Sequence, residues 1–560
     1  MDQLTKENYI NKAKEWLEGD PDPKNKEEIR ELLREGHIEK ITKVFHGRLK
    51  FGTAGLRGTL GAGPNKMNTI TVKRLAYGLS KYLKPKSKVV VGYDARHKSK
   101  IFAKDICDVL NASGISTQIF PKPIPTPVLA FSVRNLKTDL GIMVTASHNP
   151  ASDNGCKIFL NDGAQLRSPI DQEIDDLIEL APLLPEEVSE ESLTTILDQS
   201  IWQNYCDSVA STTDRESSDI QIAYSPLHGV AWETIKSVFA NAKAGHLIPV
   251  PRQMDPDPDF PTTPFPNPEE EGVMDQLIEL ASSCKADIAI ANDPDGDRLA
   301  AAIPTSNNGW RVLSGDEIGA LLFSQIVQKT NGNNRKVVST LVSSSLVSKI
   351  ALANGIRHEE TLTGFKWIMQ EAYKSISEIP IFCYEEALGY AVTEIVRDKD
   401  GISAALLLAE IAFDCKKEGI SLEQKLEGIS AEYGHHSVKT IRVRFESNQP
   451  TAYLNAIMQG LRNKPPTELT VGKIVRVTDY MKDDIHSKLP ADNLIRFETD
   501  QGVRILIRPS GTEPMIKIYM EKVTDVLNRE HINNIEKQSQ TLLGSLGLEI
   551  EQILRSYQIV

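Results

Sequence analysis

The sequence predicts a multidomain α/β protein, and three observations carry that prediction. At 560 residues the chain is too long for one compact core, and ~150 residues per domain gives roughly three to four. Strand-like apolar runs alternate with helix-like stretches from about residue 50 onwards, the pattern of sheets flanked by helices. Four of the apolar runs end abruptly in polar loops: LGIMVTAS into HNP (140–150), ADIAIA into NDPDGDR (286–298), IPIFCY into EEALGY (379–390) and VRILI into RPSGTEP (503–514). Ligands of α/β sheets bind outside the carboxyl ends of strands. Four such loops suggest four domains, each giving one loop to a shared cleft, although any one of them also reads as a plain strand-to-helix connection.

The elements follow in order. The first fifty residues read as short amphipathic helices: Tyr9, Ala13, Trp16 and Leu17 recur at helical spacing, Pro21-Asp22-Pro23 breaks the run, and Ile29, Leu32 and Leu33 resume it. Val89-Val90-Val91 predicts a strand, 101–110 a helix and 115–120 another strand. Six prolines between Asp255 and Gly272 read first as a flexible linker, but the interleaved Phe260 and Phe265 suggest a docked, extended segment.

Composition excludes several function classes. The chain is 40% hydrophobic and 25% charged, with a net charge of −12. That balance argues against nucleic acid as a partner, which needs a basic surface, and against a polybasic membrane patch. No apolar stretch approaches the ~20 residues that span a bilayer, and MDQLTKENYI has neither the basic nor the apolar region of a secretory signal. The expected location is therefore cytoplasmic. An anionic substrate is still allowed, because only the local field in a cleft matters there. Six dispersed cysteines without a C-x-x-C read as reduced and mostly buried.

The loops carry the chemistry. In NDPDGDR, Asp293, Asp295 and Asp297 alternate within five residues. Carboxylates this close repel by ~1–4 kcal/mol per pair, so a cation is the natural compensation, with a solvated acidic turn as the alternative. An EF-hand fails by position, since its sixth place would be Arg298 and its twelfth Pro304. A few hard oxygens fit Mg²⁺, and Arg298 beside them points to a phosphate. In TASHNP, Ser147 leaves a strand without the flanking glycines of a hydrolase elbow. It reads either as a phosphoryl carrier or as the capping residue of an Asn-Pro turn. Adjacent residues at a strand end point opposite ways, so His148 is expected to be a poor base for Ser147. In RPSGTEP, Arg508, Ser510, Gly511 and Thr512 offer an anion site, and Glu385 and Glu386 offer acceptors for sugar hydroxyls or form a surface acidic pair. Walker A, dinucleotide-fold and protein-kinase patterns are absent.

Taken together, FGTAGLRG (51–58), GYDAR (92–96), TASHNP with NGCK (154–157), DPDGDR, EEALG and RPSGTEP resemble the α-D-phosphohexomutases in identity and order, from about residue 50 to 520. Within that superfamily, FGTAGLRG, KMN (66–68), FPTTPFPNPEE and TLTGFKWI (361–368) are similar to the branch of phosphoglucomutase 2 and the phosphopentomutases. The sugar loop departs from the better-known GEESFG pattern, with Tyr384 in place of Gly and Ala387 in place of Ser.

The resemblance implies three related α/β domains with mixed sheets flanked by helices, plus a C-terminal α+β domain, around a central cleft. Expected boundaries are 1–205, 206–313, 314–436 and 437–560. It implies Ser147 as the phosphoserine, which with Asp293, Asp295 and Asp297 would hold Mg²⁺. Lys157 would be the general acid/base, with Arg57 and Arg298 beside the reacting phosphoryl group. Glu385 would grip sugar hydroxyls, Lys366 would contact sugar or phosphate, and Arg508, Ser510, Gly511 and Thr512 would hold the non-reacting phosphate. A mobile fourth domain would act as the lid. The implied activity is a mutase interconverting glucose 1-phosphate and glucose 6-phosphate, primed by glucose 1,6-bisphosphate. Alternatives are mannose or pentose phosphates, a sugar-bisphosphate synthase, or a non-catalytic sugar-phosphate sensor. The expected partner is a small phosphosugar, and the expected assembly a monomer, with a dimer as the alternative.

Overall fold

The computed structural model describes all residues except 1–2, 53–54, 189–192, 214–216, 308, 446–449, 483–488, 511–514 and 558–560. They divide into two compact units, 1–314 with 387–414, and 315–386 with 415–560.

Unit 1 begins with the helices Gln3–Gly19, Pro23–Glu35 and Ile38–Phe45. The break falls at the expected prolines, where Asp22 accepts from the Lys24 N–H and Pro23 fills the first helical position. Their apolar faces close a core of Ala13, Trp16, Ile29, Ile41 and Phe45 around Ala62 and Ile70. The first sheet comprises β1 (Leu56–Thr59), β2 (Lys88–Tyr93), β3 (Ser116–Ile119), β4 (Leu140–Val144), β5 (Asp153–Leu160) and β6 (Thr194–Ile196), in the order β1-β5-β4-β2-β3-β6. Its strands β4, β2, β3 and β6 run parallel, while β5 is antiparallel to both β4 and β1. β4 is buried along its whole length, as its unbroken apolar run requires. The second sheet, β7 (Gln221–Ser225), β8 (His246–Pro249), β9 (Ile288–Asn292), β10 (Leu299–Pro304) and β11 (Trp310–Val312), has the order β11-β10-β9-β7-β8 and is also mixed. The expected boundary at 205/206 lies inside the helix Ser200–Ala210, not in a linker.

Unit 2 opens with the helix Gly315–Lys329, followed by the parallel strands β12 (Arg335–Thr340), β13 (Arg357–Thr361) and β14 (Ile379–Glu385), with β12 in the middle. The chain returns to unit 1 for the short β15 (Gly389–Ala391), then completes unit 2. There β16 (His435–Arg444), β17 (Glu468–Leu469), β18 (Gly472–Asp479), β19 (Ile495–Thr499), β20 (Val503–Pro509) and β21 (Met515–Thr524) form an antiparallel sheet in the order β16-β21-β20-β19-β18-β17. The helices Pro450–Asn463 and Ile532–Ser556 cover its core, giving the expected α+β layout.

Within unit 2 a second apolar cluster packs the C-terminal sheet against the parallel one, joining Leu341, Val342 and Leu362 to Leu494, Leu506 and Tyr519. Beside it, buried Glu521 accepts from Ser344 Oγ (2.7 Å), the Ser345 N–H (2.8 Å) and Arg504 Nη2 (2.8 Å), and lies 2.9 Å from His436 Nδ1. Unpairing such a buried network is costly, so it ties the parallel and antiparallel sheets together within unit 2.

All six cysteines are free and all but Cys284 are buried. Burial pushes the thiols of Cys107, Cys156 and Cys383 up to about 12. Among the described residues no helix is long and apolar enough to cross a membrane.

Candidate active site

In unit 1 the carboxyl ends of β2, β4 and β9 meet. After β4 the chain turns sharply at Ser147, which is 1% exposed and holds a left-handed φ of +55°. Its N–H donates to Thr145 Oγ1 (2.8 Å). Its hydroxyl donates to Asp293 Oδ2 (2.8 Å), joining two loops 146 positions apart in sequence. Only the orientation expected of His148 is corrected. Because Ser147 leaves extended backbone, strand alternation no longer applies, and His148 Nδ1 lies 3.3 Å from Ser147 Oγ. Burial, then the nearby Arg298 and Arg57 cations, holds that imidazole well below its ordinary value and so neutral.

The aspartate loop links β9 to β10. Asp293, Asp295 and Asp297 are fully buried, with one oxygen of each within 4.8 Å of the others. Asp293 Oδ1 accepts from the Arg298 N–H (2.9 Å). Asp295 Oδ2 accepts from Thr126 Oγ1 (2.5 Å) and Lys157 Nζ (2.6 Å), and Asp297 Oδ2 accepts from Lys157 Nζ (2.5 Å). The remaining oxygens, Asp295 Oδ1 and Asp297 Oδ1, are buried yet accept no hydrogen bond from the described residues. Two orphaned carboxylate oxygens among three hard donors fit a divalent cation such as Mg²⁺. Burial, reinforced by the charge of Asp297, raises the Asp295 carboxyl. Burial acts on Asp297 in the same sense, but Lys157, Lys399 and Arg298 outweigh it and hold that carboxyl far below the usual range.

Strand pairing places the cations. Lys157 lies on β5 opposite Met143 of β4 and is 1% exposed. Arg57 lies on β1 opposite Gly155 of β5. A Cβ at Gly155 would come within 2.4 Å of the Leu56 carbonyl, so only glycine lets β1 approach this closely. Arg57 Nη1 reaches Asn149 Oδ1 at 3.5 Å, and burial pulls its guanidinium below the ordinary value. Arg298 donates from Nη1 to the Ala387 carbonyl (2.8 Å).

Three neighbours had no role in the sequence reading. Lys399 Nζ stands 3.5 Å from Asp297 Oδ2; its only signal was the Asp398-Lys399-Asp400 triplet. Thr126 carried no signal. Arg96 stood in the GYDAR motif without an assigned role.

In unit 2, Glu385 ends β14 and is buried, while Glu386 Oε2 accepts from Thr340 Oγ1 (3.1 Å). The Tyr384 hydroxyl donates to Asp316 Oδ1 (3.1 Å) and to the Ser344 carbonyl (3.2 Å). Lys366 is buried on the helix Phe365–Ala372, its ammonium 5.7 Å from the Trp367 ring centre. Arg508 is half-buried on β20, and the Ser510 N–H donates to the Met515 carbonyl (2.8 Å). Gly511 and Thr512 lie outside the described residues.

Four family profiles match the chain in sequence order. They are the phosphoglucomutase/phosphomannomutase alpha/beta/alpha domain I over 48–182, domain II over 203–307, domain III over 314–433 and the C-terminal domain over 467–537. The chain is 35% identical to a phosphopentomutase of Mus musculus, over 95% of this chain and 93% of the relative. It is 33% identical to a phosphoglucomutase of Staphylococcus aureus, over 85% of this chain and 90% of the relative. A crystal structure of a phosphoglucomutase/phosphomannomutase family protein from Burkholderia thailandensis shares the fold, with a TM-score of 0.68 at 17% identity over 90% of this chain and 97% of that one. With four domains in family order and a buried acidic triad at a strand end, the chain belongs to the phosphoglucomutase/phosphomannomutase family of α-D-phosphohexomutases, and it is an isomerase acting by intramolecular phosphotransfer on phosphosugars.

Proposed function

We propose that the enzyme interconverts glucose 1-phosphate and glucose 6-phosphate, with Ser147 as the phosphoryl carrier and glucose 1,6-bisphosphate as intermediate and primer. The observation that carries this reading is the 2.8 Å bond from Ser147 Oγ to Asp293 Oδ2, which sets the hydroxyl against the acidic triad. Asp293, Asp295, Asp297 and an oxygen on Ser147 would hold Mg²⁺, which when bound neutralises charge on the transferring group. Arg57 and Arg298 supply fixed positive charge where the phosphoryl oxygens gather, so no reorganisation is needed at the moment of transfer. Lys157 moves the proton of the reacting sugar oxygen as general acid/base; its Nζ, held on Asp295 and Asp297, stays oriented between turnovers. Glu385 accepts hydrogen bonds from sugar hydroxyls, Lys366 contacts sugar or phosphate, and Arg508, Ser510, Gly511 and Thr512 grip the non-reacting phosphate.

A second reading has its own support. The mouse relative is named a phosphopentomutase, and Ala387 removes a hydroxyl from the sugar loop, so ribose 1-phosphate to 5-phosphate is the rival reaction. The deciding measurement is kcat/KM on glucose, mannose and ribose 1-phosphates side by side, with Mg²⁺ and the matching bisphosphate. Glucose is expected to lead, and a lead for ribose overturns the choice of sugar. Ser147→Ala should abolish turnover on every sugar while leaving the fold intact; substantial residual activity would mean another nucleophile.

A further inference from the structure

The Pro-rich segment 255–268 is docked, one of its phenylalanines on Arg96 of the loop after β2 and the other on His148 of the serine loop. Phe260 is 2% exposed at a left-handed φ of +45°. Its ring covers the guanidinium carbon of Arg96 at 4.8 Å. Arg96, itself 4% exposed, donates to the carbonyls of Ser147 (2.7 Å), Asn149 (2.5 Å), Pro150 (2.7 Å) and Asp153 (3.1 Å). Five residues after Phe260, the ring of Phe265 meets the His148 imidazole edge-on, with centres 6.5 Å apart.

The other side of the segment is fastened beneath the aspartate loop. Thr262 Oγ1 bonds with His228 Nε2 (2.7 Å) and accepts from Gln253 Nε2 (2.8 Å). Next to His228, a Cβ on Gly229 would come within 2.3 Å of Pro294, the residue between Asp293 and Asp295. The Val230 N–H donates to the Pro294 carbonyl (2.9 Å). A continuous chain of contacts therefore runs from the aspartate loop through the segment to the serine loop.

We infer that the segment 255–268 is a strut that sets Ser147 against the metal-loop aspartates, with Phe260 and Phe265 as positioning residues; this rests on the reading of Ser147 as phosphoryl carrier. A left-handed serine persists only where its surroundings over-determine it. Arg96 supplies that constraint through four carbonyls, and the π-face of Phe260 holds the cation in place without competing for its N–H groups. The prolines fix backbone φ along the segment, so it transmits position as a stiff piece.

The test replaces Phe260 with mono-, di- and trifluorophenylalanine, which keep the shape and weaken the π-face step by step. We expect kcat to fall with each fluorine, while KM for the sugar phosphate stays within about twofold, and Phe260→Leu to lower kcat about tenfold. Amide hydrogen exchange over 145–153 should quicken in the same order, with exchange in β7 and β9 unchanged. A merely space-filling ring predicts no gradient along the fluorine series. Wild-type exchange over 145–153 in the trifluoro and leucine proteins, or a KM rise at constant kcat, overturns the strut. Wild-type protein inactive on every aldose 1-phosphate would instead defeat the phosphoryl-carrier reading, and the exchange comparison would still decide whether the segment sets the loop.

Discussion

Asp316 sits in the buried seam of unit 2, accepting from the Ser344 N–H (2.7 Å) and the Tyr384 hydroxyl. Burial pushes its carboxyl up to about 6, from an ordinary value of 3.8, with Glu521 adding to the rise and Arg504 opposing it. The folded state thus keeps a proton that the unfolded chain has released, so this group's stability contribution is present below pH 3.8 and lost as pH rises through about 6. Asp316→Asn keeps an acceptor for both bonds and does not titrate. Urea unfolding should show it gaining about 2.4 kcal/mol over wild type between pH 4 and pH 7; a difference independent of pH would refute the assignment. Lys157 offers a second test at this scale. Lys157→Met leaves Asp295 and Asp297 short of their nearest cation, so the metal-free protein should lose about 3–5 kcal/mol. Mg²⁺ then takes over part of the charge balance, and calorimetry should find a larger Tm rise on Mg²⁺ addition in the variant than in wild type.

Among the elements, the three N-terminal helices have a definite task. They roof Ala62 and Ile70, which flank the turn after β1, the strand that carries Arg57. Trp16 is the anchor of that roof, 4% exposed, edge-on to Phe45 and donating from Nε1 to Asp20 Oδ2 (2.8 Å). Trp16→Ala should cost about 3–5 kcal/mol in urea unfolding. What could be read from sequence at this scale was whatever is local. The alternating aspartates, the strand-end serine and the prolines between helices each state their chemistry within a few residues. The Ser147–His148 contact escaped because a left-handed φ at a serine has no sequence signature. Lys399 and Thr126 escaped because each meets the aspartate loop only through sheet and loop packing, at separations above 100 positions.

At the scale of the whole molecule, the four-domain count was legible in the loop pattern, but the grouping of those domains was not. It depends on Ser344, His436, Arg504 and Glu521 converging from separate strands and turns, and no one of them is unusual in its own neighbourhood. Calorimetry should resolve separate transitions for the two units. Glu521→Gln, which leaves the Arg504 guanidinium without its buried partner, should lower one transition and leave the other in place; an equal shift of both would mean a single cooperative body.

Unit 1 is also discontinuous along the chain, taking up residues 387–414 only after 315–386 have gone into unit 2. On the ribosome, Asp297 is therefore synthesised well before Lys399, and Arg298 before the Ala387 carbonyl that receives it. At typical elongation rates the interval is on the order of ten seconds. Throughout it the acidic loop has only Lys157 as an ammonium partner among the described residues already made, so any native-like arrangement of the triad in that interval would carry less compensating positive charge than the finished chain supplies.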